Sequence, residues 1–139
     1  MDSADEFAQR WLQSADGDIQ VLVVGLEHEA ITNAVFGFHT QQATEKLLKG
    51  LLAARGEDPP RIHDVNELAE QASRLYGVRL GHFVDPALTT YAVAERYPGM
   101  AIVPSPPLNR EAALQQVRTL RQTTLQLQKG LRPPEHTVA

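Results

Sequence analysis

The sequence predicts an all-α protein, an up-and-down bundle of about five helices, and three observations carry that prediction. Apolar residues recur at spacings of three and four through several long segments. Capping residues at the starts, and glycine or proline at the ends, divide those segments into ordinary helix lengths. No stretch of similar length shows the alternation of a half-buried strand. Amphipathic helices without a sheet can bury their stripes only against one another, which makes a bundle.

The first segment opens with Ser3 and Glu6 at capping-box spacing, then places Phe7, Trp11, Ala15, Ile19, Leu22 and Leu26 on one face. Its run from Val21 to Val24 is rich in β-branched residues, but it sits inside the helical period and is read as helix. Trp11 is assigned to the core. Glu27 to Thr32 is a polar break, expected to join antiparallel neighbours. The second helix is expected over about Asn33 to Arg55, burying Phe36, Ala43, Leu47, Gly50 or Leu51, and Ala54, with Gly56 as its stop. Gly37 and Gly50 each weaken an isolated helix by roughly 1 kcal/mol relative to alanine, so a close helix contact is the expected reason for them.

Pro59 and Pro60 bar continuation, and Asp64 with Glu67 repeats the capping-box spacing before a third helix over about Val65 to Tyr76, stopped by Gly77. Asp85 and Pro86 announce a fourth helix that runs to Pro98-Gly99. Met100 to Leu108 carries three prolines and reads as an extended connector. The last helix begins near Asn109, with Ala113, Val117, Leu120, Thr124, Leu127 and Leu131 at helical spacing. One domain over residues 1–132 and a frayed tail over 133–139 are expected.

Composition narrows the functional classes. Of the 139 residues, 42% are apolar and 22% charged, the balance of an ordered globular domain. The chain has no cysteine, which removes disulfides, thiolate catalysis and sulfur-ligated zinc. The start lacks the basic-then-apolar order of a secretory signal, and no apolar run is long enough to span a bilayer, so a cytoplasmic location and no membrane association are expected. A net charge of -4 opposes general coating of nucleic acid and confines any phosphate binding to a local surface.

Two groups of residues can build such a surface. On helix two, His39, Gln42, Lys46 and Lys49 follow one another by three, four and three positions and share a polar stripe. The ammonium groups suit phosphate, and the amide and imidazole can read the edges of a base or ribose. His63 stands at the entry to helix three as a further donor, with Asp64 as the cap. At the end of helix four, Tyr91 and Tyr97 can stack on a base while Arg96 grips a phosphate. A solvated face, a polar dimer seam and ordinary helix-end packing are the competing uses of the same residues. His28 between Glu27 and Glu29 does not make a metal site, because adjacent residues rarely converge on one ion. No phosphate loop, nucleophile elbow or dinucleotide fingerprint is present.

The stretch from Phe38 to Leu52, FHTQQATEKLLKGLL, closely resembles the string F-H-x-Q-Q-A-x-E-K-x-L-K-x-L-L of HEPN (higher eukaryotes and prokaryotes nucleotide-binding) domains. Trp11 with Ala15 and Asp18, Pro60 to Val65, and Tyr91 with Arg96, Tyr97 and Pro98 follow in the order expected of that family. The resemblance implies a helical bundle assembled as a homodimer, often beside a small nucleotidyltransferase, and handling nucleotide or RNA. Ribonucleases of the broader superfamily carry an arginine followed, after four to six residues, by a histidine. Here His63 follows Arg55 and His82 follows Arg74 at longer spacing, His136 follows Arg132 at shorter spacing, and Arg96 has no histidine before the tail. An arginine without that histidine stabilises a phosphorane but activates no hydroxyl. The expectation is therefore a non-catalytic protein that requires no cofactor and takes an ATP-like nucleotide or RNA as ligand. The alternatives are a ribonuclease toxin of a toxin-antitoxin pair with an altered site, and a purely oligomeric interaction module.

Overall fold

Helix α1 spans Ser3–Gly25, α2 Asn33–Ala54, α3 Val65–Tyr76 and α4 Arg110–Gln128, with a 3-10 turn over Gly81–Phe83. The computed structural model describes residues 3–85 and 108–132, and over these the protein is all-helical, with no strand. The helix expected after Asp85, most of the proline-rich connector and the tail at 133–139 lie outside the described residues. Four of the roughly five expected helices are therefore described, and the last predicted one is α4.

Local chemistry explains the boundaries. Thr32 caps α2 by accepting from the Val35 N–H, Asp64 caps α3 by accepting from Asn66 and Glu67, and Asn109 caps α4 by accepting from Ala112. At the other ends, Gly56, Gly77 and Gly130 take left-handed φ values of +76°, +67° and +76°, which glycine adopts without strain. In α4 this turn lets Leu131 N–H reach back 2.9 Å to the Gln126 carbonyl, so the helix stops before Leu131. Leu131 is 57% exposed, which corrects its placement in the apolar stripe. Helix α1 already includes Ser3, so Ser3 does not act as its cap.

Helix α2 is the centre of the bundle, packed on α1, α3 and α4. Phe36, Leu47, Leu48, Leu51 and Leu52 are buried among Ile19 and Leu22 of α1, Val65 and Leu68 of α3, and Val117 and Leu120 of α4. The α1–α2 pair is antiparallel: Gly25 lies at Phe36 at one end, and Gly50 meets Trp11 at the other. A Cβ on Gly50 would stand 3.3 Å from the Trp11 Cβ, so the glycine serves close helix approach as its position suggested. Trp11 itself is only half-buried and lies at the rim of the core rather than inside it. Phe7 is 51% exposed, with the Arg10 guanidinium 5.6 Å from its ring centroid, and so does not join the buried face.

Two side chains lock the helices together. Arg110, at the start of α4, donates to the Gly25, His28 and Ile31 carbonyls and to Asn33 Oδ1, and its guanidinium lies 5.1 Å from the Phe36 ring centroid. It thereby pins the α1–α2 turn. At the end of α3, the Tyr76 hydroxyl donates to the Leu51 carbonyl at 2.5 Å, while Arg55 stacks on its ring and donates to Leu75.

Burial pushes the Tyr76 hydroxyl pKa up, against the opposing pull of Arg55. A folded value above the unfolded one means the neutral hydroxyl is favoured by folding. Its contribution is therefore full below about pH 10 and is lost as pH climbs through the raised value. Tyr76→Phe is expected to cost about 1 kcal/mol near neutral pH and to flatten the loss of stability in alkali, as read from urea unfolding at neutral and alkaline pH.

Candidate functional site

The polar stripe of α2 meets an acidic residue of α1. Asp18 falls on the face of α1 that packs against α2, and its carboxylate reaches between His39 and Lys46, two helical turns apart. His39 Nδ1 lies 2.8 Å from Asp18 Oδ1, and Lys46 Nζ donates to Asp18 Oδ2 at 2.6 Å. His39 and Lys46 remain partly open to solvent, whereas Asp18 is nearly covered.

A second cluster lies one residue over. Glu45 accepts from Lys49 Nζ at 3.1 Å and from Gln41 at 3.2 Å, and its Oε1 is 3.0 Å from His63 Nδ1. Gln41 also donates to the His63 carbonyl at 2.9 Å, so the connector after α2 folds back along that helix and delivers His63 to Glu45. Gln42 donates to the Gln41 side-chain oxygen at 3.2 Å and so belongs to this second cluster. Lys49 and Glu45 are an interior pair, with side chains 7% and 5% exposed, and the ammonium lies 5.5 Å from the Trp11 ring centroid. The His63 side chain is 57% exposed.

The electrostatics of the stripe follow from these contacts. Each lysine has a carboxylate of its own, Asp18 for Lys46 and Glu45 for Lys49. With neutral imidazoles the whole arrangement carries no formal charge. Its attraction for an anion therefore depends on hydrogen-bond donors and on the protonation of its histidines, not on two unpaired ammonium groups.

Of the eight residues that sequence pointed to, five are placed. His39, Gln42 and Lys46 lie along α2 with accessible surface, His63 is held against Glu45 and Gln41 of the same helix, and Lys49 is buried. Tyr91, Arg96 and Tyr97 lie outside the described residues. Asp64 caps α3 as expected, and His28 sits in the turn that Arg110 clamps. Sequence reasoning left out Glu45 and Gln41 as organisers, and cited Asp18 only within a resemblance. Their signal was present: each is a polar residue in register with the apolar stripe of its own helix, where an unpaired charge is costly.

Among the described residues, every buried polar side-chain atom has a hydrogen-bond partner. Open grooves of about 290 and 500 Å³ lie away from the stripe, the larger one beside Asn66, Arg79 and His82. No described helix is long and apolar enough to cross a membrane.

Fold and site together define a helical-bundle domain whose central helix carries a motif-rich, ion-paired polar seam. The chain belongs to the HEPN domain family: the family model matches residues 8–129, most of its length. No curated protein matches the chain, and no solved structure does.

Proposed function

We propose that this HEPN domain is a non-catalytic binding protein for a phosphate-bearing ligand, an ATP-like nucleotide or RNA, acting as a homodimer or in support of a small nucleotidyltransferase. The observation that supports the reading is that Asp18 holds His39 and Lys46 together on α2, both partly open to solvent, while His63, 18 positions from Glu45 in sequence, is hydrogen-bonded to that residue of the same helix. The stripe offers donors for phosphate and amide and imidazole edges for a base. Tyr91, Arg96 and Tyr97 are assigned to the same ligand on sequence grounds alone. Absence of the arginine-to-histidine ribonuclease spacing supports binding over cleavage.

Titration with ATP and with short RNA, followed by Trp11 fluorescence and by heat, tests the proposal. Saturable binding that weakens about tenfold or more in His39→Ala and Lys46→Ala is the expected result. No response at millimolar ligand overturns it.

A second reading, a ribonuclease toxin with an altered site, draws on the Asp18–His39 pair, because a carboxylate that orients an imidazole is the arrangement a general base needs. Cleavage of labelled RNA that disappears in His39→Ala would replace the first reading with this one. If the stripe is instead only an oligomer seam, Lys46→Glu yields a monomer by solution mass with no ligand response in the parent protein. Lys49 is unsuited to that test, because reversing a buried charge attacks the fold itself.

A further inference from the structure

Asp18 determines the chemical form of His39. An ionised carboxylate only accepts hydrogen bonds, so at 2.8 Å the His39 Nδ1 carries a proton and donates it. The exchangeable proton of the ring therefore belongs to Nε2. No described residue hydrogen-bonds that atom.

Among the described residues, the ring is bonded to Asp18 from α1, which it shares with Lys46 from its own helix, and the Phe38 ring meets it edge-on at 5.4 Å. Glu45, Lys49 and His63 form a separate cluster on the same helix, bonded to one another through Glu45. With a neutral ring, the Asp18, His39 and Lys46 trio has no net charge. An anion approaching Lys46 then meets the Asp18 carboxylate as well, and the two Coulomb terms largely cancel. A proton on Nε2 makes the trio a cation and adds a donor on the side of the ring away from Asp18.

We infer that the His39–Lys46 site takes its oxyanion together with a proton, so that the bound state is the imidazolium form. This inference rests on the ligand-binding reading given above and names how that binding is regulated. Linkage makes the coupling reciprocal: the anion raises the proton affinity of His39 by the factor by which the proton raises the anion's affinity. Histidine as a residue type ordinarily changes charge between about pH 5 and 8, and the test spans that range. A fully coupled proton weakens binding up to about tenfold for each pH unit of rise.

The test uses a short oligoadenylate with hydroxyl ends, because its phosphodiesters keep their charge across this range. Calorimetry at about pH 6 and about pH 8, in buffers of different ionisation heat, gives affinity and protons bound. Binding tenfold or more tighter at the lower pH, with uptake approaching one proton, is expected for the parent protein. His39→Gln keeps a donor for Asp18 but cannot titrate, and its affinity is expected to be weak and independent of pH. Asp18→Asn releases Lys46 from its counter-charge and is expected to bind tighter than the parent protein at about pH 8.

Equal parent affinity at both pH values overturns the coupling and leaves the binding reading standing. A pH dependence that survives in His39→Gln overturns it too, as does an Asp18→Asn variant that folds and binds more weakly at about pH 8. No binding at either pH removes both the inference and the reading beneath it. Thermal melts establish folding of each variant, and if Asp18→Asn does not fold, His39→Gln and the proton count decide.

Discussion

Replacing Arg110 with alanine should destabilise the protein by about 2–4 kcal/mol and lower its melting temperature by roughly 10 °C. The guanidinium donates to three carbonyls of the α1–α2 turn and to Asn33, and it covers the Phe36 ring. Truncation removes charge-assisted bonds that fix how two helices enter their turn, and it uncovers a core aromatic. Arg110→Lys should recover less than half of the loss, because an ammonium has no planar fork to reach carbonyls on several sides. Differential scanning calorimetry reads both variants. A shift of only a degree or two for alanine would mean that the turn holds its shape without the clamp.

An effect as large is expected at Glu45. Glu45→Leu strands the Lys49 ammonium in the interior, and breaking a buried pair in this way costs about 3–5 kcal/mol. Lys49→Met is expected to cost less, since Glu45 keeps Gln41 and the His63 ring as partners. Combining Glu45→Leu with Lys49→Met should restore much of the stability, because an apolar pair of similar volume needs no counter-charge. Urea denaturation of the four proteins gives the coupling directly. Simple additivity of the two single losses would show that the pair does not act as a unit.

Much of the fold could be read from the residues because local signals agreed with tertiary need. Asp64 and Gly77 bound α3 where the pattern placed them, and the Val21 to Val24 run is helical because α1 buries Leu22 from within it. Phe7 and Leu131 misled for different reasons: the buried face of α1 at that end passes through Ala8, one position on, and α4 ends at Gln128, before Leu131. Arg110 shows a different gap. A cation in the first turn of a helix opposes the helix dipole, so its presence there signals a tertiary duty, but only coordinates reveal which carbonyls it serves.

The candidate site was legible as a stripe but not as a balance of charges. Periodicity placed His39, Gln42, Lys46 and Lys49 along one helix. It could not tell that Asp18 and Glu45, from positions in register with apolar residues, reach those same groups and neutralise them. His63 depended on the path of a connector without periodicity, which the Gln41 side chain anchors by its bond to the His63 carbonyl.

The enclosure of α2 by three other helices also bears on how a ligand would be received. Groups mounted on the most deeply packed of the described helices would stand ready before any encounter. Little freedom is left to surrender on capture, so recognition there would resemble a key meeting a finished lock more than a hand closing.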